Sequence, residues 1–137
     1  MSELLLSRRK LAVAGLMMIV DDEGSAEIDR ALFDAVTGGR FWPEYEALWR
    51  VGGVWREPRD FSREVGAALT LFRFALPDFC WLMRSDDERG VFANIGPREF
   101  WNSAVDGPRY RNFAATPALA LCKSTIDALI AIEEARA

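Results

Sequence analysis

The chain has 137 residues, half of them hydrophobic, with 17 basic against 21 acidic side chains and a formal net charge of −4. That length suits one domain whose core needs no disulfide or metal staple, and the acidic balance argues against a nucleic-acid binder, which usually carries a net basic face. Histidine is absent, which removes the commonest general base, the commonest metal ligand and the usual partner of a serine or cysteine nucleophile.

The only lysines are Lys10 and Lys123, so the positive charge is nearly all arginine. Basic and acidic residues balance between Arg40 and Arg111, while the N-terminal third is acidic. A local arginine patch stays open beside the plainer reading of solvated Arg–acid pairs, each worth little. Cys80 and Cys122 are far apart in apolar stretches, where free cysteines behave as small buried hydrophobes.

The first element lies in LLLSRRKLAVAGLMMIVDDE, residues 4–23. A twin arginine before an uncharged run suggests an export signal, but Asp21, Asp22 and Glu23 follow directly and no Ala-x-Ala site appears. The run is also too short to span a bilayer. A helix fits better. Leu4, Leu5, Leu11, Ala12, Leu16 and Ile19 recur at spacings of three and four and are expected to make one apolar stripe, interrupted by Arg8. Glu3 is expected in its first turn, where an acid suits the helix dipole.

DDEGS is a break; it lacks the spacing and closing glutamate of a calcium loop. Ser25 is expected to cap a helix over AEIDRALFDAV that buries Ile28, Ala31, Leu32 and Ala35, with Gly38 as its left-handed C-cap. The two N-terminal helices occupy residues 1–38. Residues 40–58 are crowded with aromatics and punctuated by Pro43, Gly52, Gly53 and Pro58. There EYEALWRV reads as a helical turn or a strand, and GVWRE as a short strand.

DFSREVGAALTLFRFAL predicts a helix capped by Asp60 or Ser62, with Val65, Leu69, Phe72 and Leu76 as its buried stripe and Pro77 as its stop. DFCWLMRS and VFANIG predict two strands around a DDERG turn that ends at Gly90. Phe79, Trp81 and Met83 share one face of the first. RYRNF is either loop or a third short strand. The final helix starts with a Thr116 cap and Pro117 in the first position, and buries Leu119, Cys122, Ile126 and Leu129.

GAALTLFRFALP, the Trp-bearing strand pair and FAATPALALCKSTIDALI together resemble the phage ABA-sandwich domain family, small proteins of phages and prophages. The resemblance runs roughly from Asp60 to Ala131 and is carried by Ala67, Ala68, Leu69, Leu71, Pro77, Trp81 and the run Ala115–Cys122. KSTIDAL stands where members often have an Ala-rich turn. The resemblance implies an α+β domain in which a small antiparallel β-sheet is sandwiched by α-helices, with residues 60–135 forming helix, hairpin, loop and helix. It implies no catalytic motif, because the family has no established activity.

The search for chemistry finds little. Ser103 has no histidine to activate it. VGGVW lacks the lysine and spacing of a phosphate loop. Glu44 and Glu46 read as surface acids. No cofactor and no metal site is expected, and no enzyme activity. All five tryptophans lie between Trp42 and Trp101. Trp42, Trp49, Trp55 and Trp81 are expected to plug the ends of the fold. Residues 98–113 form the candidate exposed loop, because Trp, Tyr and Arg are the residues enriched at binding hot spots.

The expected function is that of a cytoplasmic phage accessory protein that binds a host or phage protein, inhibiting a host enzyme or defence complex. Its candidate contact residues are Trp101, Asn102, Arg109, Tyr110 and Arg111, with Trp49 and Trp55 behind them. The alternative is a nucleic-acid or nucleotide binder that stacks bases on the same loop. No membrane partner is expected, and a homodimer through the first helix is compatible with either reading.

Overall fold

The computed structural model describes residues 7–21, 23–39, 60–101 and 107–136. The elements are α1 (Arg8–Val20), α2 (Ala26–Thr37), α3 (Val65–Ala75), β1 (Phe79–Asp86), β2 (Gly90–Pro97), α4 (Arg98–Trp101), β3 (Tyr110–Ala114) and α5 (Pro117–Ala135). The fold is α+β, with one antiparallel sheet of order β1-β2-β3. RYRNF is therefore a strand. The stretches EYEALWRV and GVWRE lie outside the described residues, as do Leu4, Leu5, Glu3, Glu44, Glu46 and Ser103.

α5 is the central element. It packs on β2 and β3 on one side and on α1 and α3 on the others. Thr116 Oγ1 accepts the Leu119 N–H at 3.3 Å, so the helix starts where the Thr-Pro pair predicts. Leu119, Cys122, Ile126 and Leu129 are all buried, as expected. A polar bolt holds α5 to the sheet. Ser124 Oγ donates to the Ala93 carbonyl at 3.1 Å, and Asn112 Nδ2 donates to Ser124 Oγ at 3.2 Å and to Asp127 Oδ2 at 2.8 Å. The strand register puts Asn112 level with Ala93 and Met83, so this is the inner face of the sheet.

The caps of α2 also sit as the sequence predicts. Ser25 Oγ accepts the Ile28 N–H at 3.1 Å, and Gly38 closes the helix at φ +71°. Three expectations fail. α1 buries Leu11, Ala14 and Met18, while Ala12, Leu16 and Ile19 face outward. Its cap is Ser7, and no acid lies in its first turn. α3 begins at Val65 rather than near residue 60; of its expected stripe Phe72 and Leu76 are buried and Leu69 partly so, but Val65 is exposed, and Ala67, Ala68 and Leu71 are buried as well.

Asp60 and Ser62 leave α3 uncapped because a tertiary contact claims them. Asp29 in α2 is buried, 2 % exposed, and its carboxylate is fully engaged. Oδ1 accepts from the Ser62 N–H at 2.7 Å and the Ser62 hydroxyl at 2.6 Å; Oδ2 accepts from Arg63 Nη2 at 2.8 Å and Nε at 3.3 Å. Asp60 completes the group by accepting from Arg63 Nη2 at 2.6 Å. Ser62 Oγ in turn accepts the Ser25 N–H at 3.1 Å. The backbone passes so close at Gly24 (φ +81°) that a β-carbon there would meet the Ser62 carbonyl at 2.6 Å. Phe33 stacks on Phe61, and the buried Cys122 thiol donates to the Phe61 carbonyl at 3.1 Å.

Two predictions follow from this junction. Asp29→Ala strands the buried Ser62 donors and should cost about 2–4 kcal/mol by urea denaturation. Arg63→Ala removes a half-exposed partner and should cost about 1 kcal/mol, less in high salt. Burial also pushes the Cys122 thiol well above its ordinary value, with the Asp29 charge adding to the effect. The folded chain then keeps that proton after the unfolded chain has lost its own. The contribution is complete below the ordinary thiol pKa and fades above about pH 9, at up to about 1.4 kcal/mol per pH unit. Cys122→Ala should flatten that alkaline loss of stability.

Candidate functional site

α5 crosses β2 and β3, and this leaves β1 as an edge with little over it. Trp81 shares the inner face with Ile95 and Tyr110 by register, as alternation predicts, but among the described residues no helix reaches across to cover it. It is 39 % exposed, so the expectation of a buried plug fails for Trp81. On the opposite face of the same strand Leu82 is equally open. A cleft of about 550 Å³ wraps the start of β1. Phe72, Arg73, Leu76 and Pro77 come from the end of α3, Phe79, Cys80 and Trp81 from β1, and Arg98 and Trp101 from α4.

The cleft is aromatic and cationic. Arg73 and Arg98 are both exposed, neither is in an ion pair among the described residues, and no described acid lines the site. Pro77 stops α3 and the chain turns straight into β1, with the Phe79 N–H bonded to the Leu76 carbonyl at 3.1 Å. The Arg98 N–H donates to the Asp78 carbonyl at 2.8 Å, which fixes α4 beside the start of β1. Arg73 is thus carried by the last turn of α3 and Arg98 by the anchored start of α4.

The predicted contact residues divide between different tasks. Arg109 and Trp101 do come together, with the guanidinium carbon 5.0 Å from the centre of the Trp101 rings. Yet Arg109 Nη2 also donates to the Phe100 carbonyl at 2.7 Å and the Trp101 carbonyl at 3.3 Å. It therefore clasps the end of α4, where a cation suits unpaired carbonyls. The clasp lies across Gly96, where a β-carbon would meet the Pro108 carbonyl at 2.8 Å and Arg109 Nη1 at 3.0 Å. Tyr110 stacks on Phe79, 6.4 Å between centroids, and packs against the core. Among the described members of this set only Arg111 is exposed, on the outer face level with Asn94. Asn102, Trp49 and Trp55 lie outside the described residues.

Arg73, Arg98 and Trp81 are not among the contact residues that the sequence suggests, although Arg98 opens the candidate loop and Trp81 is expected as a plug. The alternation of β1 put Trp81 on a definite face, but only the path of α5 decides that this face stays open. Cys80 and Cys122 are both free thiols. Among the described residues no group of acids and cysteines is arranged to hold a metal ion, and no helix is long and apolar enough to cross a membrane. Comparison with family models, curated proteins and solved structures finds no match.

Arg109→Ala should release the end of α4. The expected cost is about 1–2 kcal/mol from two lost charge-assisted bonds and the ring contact, read by denaturation and by a change in tryptophan emission. Cys80 lines the cleft while Cys122 is sealed in the core, so a thiol reagent on the native protein should label Cys80 and spare Cys122.

Proposed function

We propose that this chain is a binding protein that takes an extended segment of a partner protein along the free edge of β1, with an acidic side chain of that segment held between Arg73 and Arg98. The observation that carries this reading is the pair of arginines, in no ion pair among the described residues, beside exposed Trp81 on a strand at the edge of the described sheet. An edge strand presents a row of main-chain donors and acceptors to an incoming strand, and neighbouring pockets give selectivity. Arg84, exposed in the middle of β1, works against pairing with another copy of the same edge. An aromatic floor with arginine rims is the composition of a hot spot.

In the phage or prophage setting that the sequence resemblance implies, the partner is a host or phage protein, and occupying its segment would inhibit a host enzyme or defence complex. The reading needs no catalytic group. The nucleic-acid alternative through residues 98–113 is weaker, because Arg109 is already bound to two carbonyls and Tyr110 is stacked on Phe79.

A peptide array of random octamers, probed with the purified native chain, tests the reading. The retained peptides should be enriched in Asp and Glu and in β-branched residues. Arg73→Glu combined with Arg98→Glu should remove the acidic enrichment at unchanged stability, since both side chains are exposed. Retention without acidic preference, or a preference that survives the double substitution, sinks the proposal. Binding to single-stranded oligonucleotides that falls steeply with salt would favour the alternative.

A further inference from the structure

α1 has two apolar faces, and the fold uses only one. Leu11, Ala14 and Met18 are buried against the rest of the domain. At 3.6 residues per turn, Arg9, Ala12, Val13, Leu16, Ile19 and Val20 fall together on the opposite side. All six are exposed, with Leu16 at 62 %, Ile19 at 69 % and Val20 at 86 %. An apolar stripe of this kind on a charged helix marks an interaction surface.

The charge pattern says what covers it. The helix opens on Arg8, Arg9 and Lys10 and is followed by Asp21, Asp22 and Glu23. Lys10 is paired within the chain to Asp34 at 3.5 Å, while Arg8, Arg9 and Glu23 make no ion pair among the described residues. A parallel partner helix of the same sequence would set like charges together. An antiparallel one sets them in opposition. A twofold axis through Leu16 brings Val13 against Ile19 and Ala12 against Val20, each contact made twice by symmetry, and it sets the basic start of each helix towards the acidic residues that follow the end of the other.

We infer that α1 is a self-association face, and that its occupant is the α1 of a second copy of this chain, antiparallel about Leu16. The inference does not rest on the cleft at β1, which uses other elements. Thirteen residues make a helix about 20 Å long, which offers less than the ~800 Å² per partner of a standard interface. The dimer is therefore a weak one that forms as concentration rises.

Sedimentation equilibrium on the native chain, from low micromolar to submillimolar concentration, tests this. A reversible monomer–dimer equilibrium is expected. Leu16→Glu should leave a folded monomer across the range, since the side chain lies outside the core. Arg9→Glu should weaken the dimer several-fold, and adding Glu23→Arg should restore it. In a Cys80→Ser background, Leu16→Cys should oxidise to a disulfide-linked dimer faster than Arg9→Cys does, as a pairing centred on Leu16 requires. A chain that stays monomeric throughout overturns the inference. So does a dimer that ignores Leu16→Glu or is not rescued by the charge exchange. Recruitment of a monomer to phosphatidylglycerol vesicles, lost on Leu16→Glu, would assign the face to lipid and likewise overturn it.

Discussion

A buried carboxylate sets the terms for the rest of this fold. Asp29 is cut off from water, and a buried anion is tolerated only when donors fill its acceptor sites. Those donors come from Ser62 and Arg63, 33 and 34 residues further on. Their position fixes the turn ahead of α3, and with it the phase in which α3 meets α5. Ser62 also takes the Ser25 N–H beside Gly24, and this sets the angle between α1 and α2. Phe61 in the same turn stacks on Phe33 and accepts the Cys122 thiol, so α2 and α5 are registered at one point. Such a group contributes more to specificity than to net stability. A well-packed apolar replacement of the whole cluster can be neutral, whereas removing Asp29 alone, which strands the buried Ser62 donors, is costly.

Local signals in the sequence survive intact, and signals that depend on what packs where do not. Ser25, Gly38, Pro77, Gly90 and the Thr116–Pro117 pair act within a few residues of themselves, and each stands where its chemistry predicts. α5 was legible because it is buried around most of its girth, so any reasonable stripe is right. α1 is apolar around its girth without being buried around it. Spacings of three and four then give a helix but no phase, and Leu16 and Ile19 serve as well as Leu11 and Met18. Asp60 and Ser62 have the residue types of helix caps, which hid their use by α2. Asp29 gave no sign, since an acid in a first helical turn is ordinarily a solvated partner of the dipole.

The candidate site shows the same division. The pairing of Trp101 with Arg109 was foreseeable from residue type and proximity, but its direction was not. The arginine turns inward to the carbonyls that end α4, and a side chain anchored in this way is poorly placed to meet a phosphate. Arg73 and Arg98 are 25 positions apart by residue number and line one cleft because the chain turns at Pro77 from α3 straight into β1. Three tasks thus fall to similar residues. Arg63 neutralises a buried charge, Arg109 closes a short helix, and Arg73 and Arg98 pair with no acid among the described residues. Composition could not separate them, whereas partner geometry does.

The two open surfaces belong to different parts of the molecule. α1 packs on α2 and α5, while β1 packs on β2 and α4. A pairing of two copies through α1 draws on none of the residues that line the cleft. It would present two β1 edges in one particle. A single short strand held by two exposed arginines is expected to bind weakly, because exposed charge pairs contribute little each. Two such edges on one dimer, facing a partner with repeated segments, bind far more tightly than either alone when the spacing allows both to engage. On this view the weak interface and the weak cleft are complementary. Leu16→Glu should then lower the apparent affinity for a multivalent target while leaving the affinity for a single peptide unchanged, a difference that surface plasmon resonance with sparse and dense peptide coatings would resolve.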